Sequence, residues 1–285
     1  MSLLPPGFQF SQRSLQDYVD CQRRFQLRYL EQLAWPAIET EPLSEHEGRM
    51  QAGAAFHQLV QRYLVGIPAE RLSAMLESGS STSSDLWRWW ENFLKFSKIV
   101  PIEEQLVEAT LSAPFHGYRL LAKYDLISWD WQPGSLTVKI YDWKTSLVIP
   151  PREWLEGRLQ TRVYPFLLVQ AGNNIIGTEQ VKPEQIEMVY WFAEHPREVQ
   201  KITYSADQFR ADQEYLHGLV NEIESLTEAD FHLTADESKC KYCTYRSLCD
   251  RGIAAGVIDP GEIFDDPQES EDFELDFDQV AEIEF

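Results

Sequence analysis

HGYRLLAKYDLISWDWQPGSLTVKIYDWKTS, residues 116–146, reads as two β-strands joined by a turn. Apolar and polar side chains alternate on either side of Trp131-Gln132-Pro133-Gly134, a cluster that breaks strands. The register of this hairpin decides which side chains meet. A four-residue loop, 131–134, places Asp130 opposite Ser135, Asp125 opposite Ile140 and Asp142 opposite Lys123. A two-residue loop at Pro133-Gly134 would place Asp125 directly opposite Asp142. We expect the longer loop, because type II turns fit the twist of a hairpin poorly. With either even loop length Asp125, Asp142 and Lys144 project from one face, since side chains alternate along a strand. An odd length would separate them.

In the expected register the two aspartates are diagonal neighbours, about 7–8 Å apart between backbones. Both carboxylates then reach one divalent cation, the natural counter-ion for two like charges held close. Hard oxygen ligands favour Mg2+ or Mn2+. Lys144, two residues beyond Asp142, is placed to orient an attacking water or to hold charge on a phosphate. On spacing alone, a solvated strand face salt-bridged through Lys123, Asp125, Asp142 and Lys144 is the commoner arrangement. The remainder of the chain therefore has to decide between the two.

Upstream, QLVEATLSA (105–113) reads as a further strand. Residues 11–33 read as one amphipathic helix with Leu15, Tyr18, Phe25 and Tyr29 as its apolar stripe, and residues 47–65 as a second. SGSSTSS (78–84) is expected to be an exposed loop, and DLWRWWENFLKF (85–96) a helix rich in aromatic residues. Downstream, residues 152–171 read as a helix, IEMVYWFA (186–193) and REVQKITYS (197–205) as strands, and 205–226 as a long helix capped by Ser205. The order helices, strand meander, helix, strands, helix predicts an α/β fold with a sheet core inside a helical wrapper. No internal repeat is evident.

The 285 residues suffice for one substantial core with a small satellite module. No run of eighteen apolar residues occurs, so no membrane span is expected. The opening residues lack a charged segment followed by a long apolar one, so a cytoplasmic location is expected. The net charge is −21, but more than half of it comes from the twelve acidic residues between Asp259 and Glu284, where there is no Lys or Arg. We expect 252–285 to be a disordered acidic tail. The body is acidic too, so charge lends no support to nucleic-acid binding.

Four cysteines occur, Cys21, Cys240, Cys243 and Cys249. A reducing compartment disfavours disulfides, and a clustered set there reads as a metal site. The C-x2-C-x5-C spacing is not the tandem C-x2-C of zinc ribbons. Four thiolates suit a tetrahedral Zn2+ or a 4Fe–4S cluster, and the spacing leaves both open. Either would fasten the first helix to the C-terminal segment, with a stabilisation expected of a long-range cross-link. Lys239, Lys241, Arg246 and Arg251 surround the cysteines, where they would offset cluster charge, contact phosphate or simply face solvent.

Asp142-Trp143-Lys144, with Tyr124-Asp125 before it, resembles the PD-(D/E)XK nuclease superfamily, and further stretches resemble its RecB-type branch. Ser14-Leu15 with Cys21, Arg24 and Phe25 is similar to that branch's N-terminal opening. Gly53-x3-His57 is similar to its helix bearing an active-site histidine, and Gln160-x3-Tyr164 to its helix after the D-x-K strand. The four cysteines resemble the iron–sulfur clasp of CRISPR-associated exonucleases and AddAB-type helicase–nucleases. The match runs from about residue 11 to 251, and the ordered combination is more specific than any one piece. Asp142 stands where many members have Glu.

The resemblance implies a restriction-endonuclease-like central mixed sheet flanked by helices, in a nuclease domain spanning 1–251, with a helical N-terminal wrapper and a C-terminal cysteine module. It implies Asp125, Asp142 and His57 as ligands of Mg2+ or Mn2+, usually joined by the Trp143 carbonyl, and Lys144 as the catalytic lysine. Gln160 and Tyr164, on one helix face, would support the site or touch DNA. Glu108, on the preceding strand, is a weaker candidate and reads more naturally as an ordinary strand residue. The four cysteines would hold a 4Fe–4S cluster rather than zinc. The expected function is a metal-dependent DNA nuclease, an exonuclease in repair, recombination or foreign-DNA processing. The competing readings are a non-cutting DNA-binding module and an iron–sulfur scaffold on the same fold. The chain has no G-x-x-x-x-G-K-[ST] motif, so it would act on open DNA ends alone or with a helicase or recombination partner.

Overall fold

A computed structural model describes residues 2–33, 41–78, 83–100, 104–177, 180–241 and 243–252. The acidic segment from 253 onward and most of the 78–84 loop lie outside the described residues. In β4 (Ser135–Lys144), Leu136, Val138 and Ile140 turn toward one apolar layer, Tyr141 and Trp143 toward another. β5 (Ile186–Phe192) repeats this, with Met188, Tyr190 and Phe192 on the first layer and Val189 and Trp191 on the second. Strands that are apolar on both faces need cover on both.

The result is a mixed six-stranded sheet between two helical layers. β3 (Tyr118–Gln132) lies next to β4, then β5, then β6 (Val199–Thr203). β2 (Gln105–Phe115) covers the far edge of β3, and the short β1 (Gln9–Ser11) pairs with residues 119–121 on the same edge as β4. β1–β3 and β4–β5 are parallel and the other pairs antiparallel. This is the mixed α/β architecture the sequence predicts; among the strands β1 went unforeseen, and among the helices those over Ala69–Ser78 and Asn173–Ile176.

The first layer consists of α1 (Gln12–Asp20), α7 (Leu159–Ala171) and α9 (Ala206–Ser225), and the second of α3 (Glu41–Leu64), α4 (Ala69–Ser78) and α5 (Ser84–Phe96). The shorter α2 (Gln22–Phe25), α6 (Arg152–Gly157) and α8 (Asn173–Ile176) connect them. α5 starts where the Ser83 side chain accepts the Leu86 N–H, a preferred N-cap arrangement. Its Phe93 and Phe96 then pack on Trp143 and Trp191 of the sheet, with Phe93–Trp143 and Phe96–Trp191 centroids 5.3 and 5.2 Å apart, while Trp89 meets Phe56 of α3 and Trp90 meets Tyr63. Ser205 caps α9 as expected, accepting from Gln208. No described helix is long and apolar enough to cross a membrane.

Three expectations need correction. The β3–β4 hairpin closes through the two-residue loop, with Gln132 opposite Ser135, Ile127 opposite Ile140 and Leu126 opposite Tyr141. Gly134 takes φ +80° after a proline, which is what a type II turn asks of its two central residues. The gain is apolar pairing: Trp131 meets Leu136, Trp129 meets Val138 and Ile127 meets Ile140. Second, the helix over 11–33 breaks at Cys21, which is extended (φ −163°, ψ 108°), and resumes as α2 followed by a π-helical turn over Gln26–Leu30. Third, the helix over 152–171 breaks at Arg158, also extended, into α6 and α7.

The sheet also departs from strict alternation at one rung. In β2, Ala109, Leu111, Ala113 and Phe115 pack in the first layer, whereas Val107 packs in the second. In β3, Leu120, Ala122 and Tyr124 belong to the first layer, Leu126 to the second and Ile127 to the first again. The pairs 107–126 and 109–124 bracket the rung that joins Glu108 to Asp125. Glu108 carries φ +52° there, a left-handed conformation uncommon for a residue with a side chain. Both strands therefore change face at Glu108–Asp125.

Candidate active site

The changed rung coincides with a gap in the ladder. On one edge of β3, β1 pairs as far as Leu121 and β4 begins at Leu126. Asp125 lies in the interval. Its carboxylate does what a strand carbonyl would otherwise do, with Oδ2 accepting the Trp143 backbone N–H at 2.7 Å. Its other oxygen lies 3.3 Å from Nδ1 of His57 on α3. Glu108 arrives from β2, held through Oε2 by Lys123 Nζ at 2.7 Å. His57, Glu108 and Asp125 bring ligand atoms within 4.8 Å of one another, and among the described residues this is the one His/Cys/Asp/Glu trio that converges so closely. Burial and the neighbouring Asp125 push the Glu108 carboxyl above its ordinary value, the response of two acids crowded in a poorly solvated place.

The lysine half of the site approaches from the first layer. Asp142 and Lys144 project with the even-numbered residues of β4 toward α7. Lys144 Nζ lies 2.8 Å from Asp142 Oδ2 and donates to Gln160 Oε1 at 2.9 Å, while Gln160 Nε2 donates to Asp142 Oδ1 at 2.5 Å. The three side chains close a ring of bonds in which both charges are buried, Asp142 1% and Lys144 8% exposed. Below them the Tyr190 ring faces the ammonium at 5.7 Å, and its hydroxyl is shared with Thr161 of α7 at 2.6 Å.

The shared-face expectation therefore holds for Asp142 and Lys144 and is corrected for Asp125. At the rung where the strands change face, its carboxylate turns toward β4 and toward the helix of the opposite layer. The structure brings His57 and Asp125 together and adds Glu108, which the sequence reading had taken for an ordinary strand residue. Asp142 is engaged by Lys144 and Gln160 and is not part of the convergent trio. Tyr164, one turn beyond Gln160, stacks its ring 4.7 Å from Tyr124, and its backbone carbonyl accepts the Tyr124 hydroxyl at 2.9 Å. It thus steadies the residue before Asp125.

Two oxygen ligands and an imidazole are donors that suit a hard divalent cation such as Mg2+ or Mn2+. The donor set fits the metal that the resemblance implies.

α7 starts on a borrowed cap. Its own N-cap, Arg158, makes no side-chain capping bond. The first N–H, that of Leu159, is instead taken by Gln16 Oε1 of α1 at 3.1 Å. Gln160, which holds Asp142 and Lys144, is the next residue.

At the far end of α1, Cys21, Cys240, Cys243 and Cys249 line one cavity together with Arg24, Lys239 and Arg246. Burial and the other thiols push Cys249 up to about 11, and Cys240 and Cys243 are raised as well, chiefly by burial. Arg24 reaches from this cavity into a buried network, its Nε 2.8 Å from Asp17 Oδ1, while Arg28 holds Asp17 Oδ2 at 2.7 Å.

A family model for the PD-(D/E)XK nuclease superfamily matches residues 9–250. No curated protein matches the chain. Among solved structures, a candidate exonuclease from Eubacterium rectale aligns over 75% of this chain and 79% of its own, at 8% identity and a TM-score of 0.46. The structure of SSO0001 aligns over 86% of each chain, at 14% identity and a TM-score of 0.39.

Proposed function

The chain belongs to the PD-(D/E)XK nuclease superfamily, and from that membership we propose a DNA nuclease of the RecB-type branch that depends on Mg2+ or Mn2+ and trims DNA as an exonuclease. The observation that carries this reading is the convergent trio His57, Glu108 and Asp125, tied through Asp125 Oδ2 to the Trp143 N–H of β4, whose flanking residues Asp142 and Lys144 form the buried ring with Gln160. His57, Glu108 and Asp125 would hold the cation, with Asp142 beside them as a further carboxylate. When bound, the cation would acidify water and offset charge on the phosphate oxygens.

The chain's own residues supply the rest. Water attacks phosphorus in line with the departing ester oxygen, so one P–O bond forms as another breaks and the leaving oxygen takes a proton. Lys144 offers a positive charge that is already desolvated and aimed, which makes it worth more than a solvated lysine against the charge that develops in the transition state. Asp142 and Gln160 fix the ammonium before substrate arrives. His57 accounts for part of the orientation of Asp125, and the Trp143 N–H for the remainder.

For the cysteines, a 4Fe–4S cluster is the reading we adopt. Its support is the resemblance of the four cysteines, in their order, to an iron–sulfur clasp, together with their place on one cavity that brings Cys21 to residues 240–249. Residues 1–251 would then be one nuclease domain with both ends fastened at the clasp.

The test is cleavage of end-labelled linear DNA and of closed circular DNA with Mg2+ or Mn2+. Asp142→Ala and Lys144→Ala are each expected to lower the rate about 10²–10⁴-fold with the fold retained by circular dichroism. Undiminished cleavage in both variants would remove the assignment, and cutting of the closed circle would remove the exonuclease part alone.

A further inference from the structure

A second group of metal-ligating side chains lies where the β2–β3 turn meets α9. His116 and Gly117 form that turn with φ +51° and +79°, the pair of left-handed conformations that marks a type I′ hairpin turn. The turn delivers the His116 ring to α9, where its Nδ1 lies 3.2 Å from Nδ1 of His217. On the other side of the same ring, Nε2 lies 3.2 Å from Glu224 Oε2. Glu224 is held in turn by the Tyr118 hydroxyl, which donates to Oε1 at 2.8 Å. His217 packs its ring 4.3 Å from that of Phe115.

This order of bonds fixes the tautomer of His116. The Nε2 proton goes to the Glu224 carboxylate, so a neutral ring presents the bare lone pair of Nδ1 to His217. A carboxylate behind an imidazole whose other nitrogen faces outward is the arrangement by which metal-bound histidines are held. The spacing agrees. Bonds of about 2.0–2.1 Å to a common zinc put two imidazole nitrogens roughly 3–3.4 Å apart, and the two Nδ1 atoms stand at 3.2 Å. His116 and Glu224 are 29% and 32% exposed, so water can complete the coordination shell.

We propose that His116 and His217 form a separate metal site, for zinc or a similar imidazole-seeking dication, in which both ligate through Nδ1 and Glu224 orients His116 from behind. His217 accommodates the ion by carrying its proton on Nε2, so no net proton is lost. Neither histidine belongs to the nuclease constellation. The bound ion would add a further cross-link between the β2–β3 turn and α9, which are joined here by the His116–Glu224 and Tyr118–Glu224 bonds and by ring packing.

Equilibrium dialysis of the purified protein against Zn2+, compared with the His116→Gln/His217→Gln double variant, tests this by difference, so ions at the cysteines or the active site cancel. The unsubstituted chain is expected to hold one more zinc. Glu224→Gln is expected to keep that ion and bind it about 10–100-fold more weakly. With Cu2+ in place of zinc, pulsed electron paramagnetic resonance is expected to show two coupled imidazoles that the double variant lacks. Equal zinc stoichiometry in the two proteins would leave the histidines as a plain hydrogen-bonded pair and overturn the proposal, as would a copper spectrum unaltered by the double substitution.

Discussion

Glu108 has an unusual backbone for a strand residue and an unusual proton affinity for a carboxylate, and the two belong together. Its left-handed φ turns the side chain out of the alternating pattern and sets it beside Asp125, and strain of this kind concentrates at functional sites. The proximity and burial raise its carboxyl. An acid whose value is higher in the folded state binds more protons there, so stability is greatest at low pH and declines as pH rises from the ordinary carboxylate range through the raised value. Metal-free protein is therefore expected to lose thermal stability across that interval. Glu108→Gln should flatten the decline, and an unchanged slope in that variant would show that Glu108 is not its source. Asp125, Asp142, Lys144, His57 and Gln160 were legible in the sequence because they stand in a recognisable order and spacing. Glu108 stood out only as a weaker candidate, although a stronger signal existed. Carrying the pairing back through a two-residue His116-Gly117 turn, as observed, puts Glu108 opposite Asp125.

The element that couples the site to the remainder of the fold is α7. Its start has no local cap, and Gln16 of α1 supplies one across 143 residues of chain. Gln16→Ala is expected to cost about 1 kcal/mol, as loss of a helix cap does. It should also speed amide exchange at Leu159 and lower the cleavage rate, because Gln160 follows directly. A loss of stability without faster exchange at Leu159 would place the role of Gln16 elsewhere. Boundaries within the helices were hidden for a related reason. Periodicity continues through Cys21 and Arg158, while the breaks there answer to tertiary demands: a cysteine turned toward a shared cavity and a helix start that must meet α1. The hairpin loop was misjudged because turn preference was weighed alone. The shorter loop adds the rung Trp131–Leu136 and sets Ile127, not Asp125, opposite Ile140, which outweighs the poorer match of a type II turn to hairpin twist.

At the scale of the molecule, the order of the longer strands and most of the helices was legible because the change of period from helix to strand and back marks them, whereas β1, α4 and α8 carry too little pattern to show. The sides of the sheet were not legible, since β3 changes face midway. The four cysteines line one cavity, which brings residue 21 to 240–249. Protein purified without oxygen is expected to be brown, absorbing near roughly 400 nm with about four irons per chain. Colourless protein with one zinc in the cavity would replace the cluster with a mononuclear site. The two layers have a further consequence. His57 comes with α3 from one layer, Gln160 with α7 from the other, and Asp125 has its place only once β3 and β4 have joined. A chain with either layer undocked holds half of the proposed constellation: the candidate cation ligands without an aimed lysine, or the lysine without those ligands. Docking of both layers is thus the step that would arm the proposed site, and a half-built copy would not yet hold its candidate residues in place.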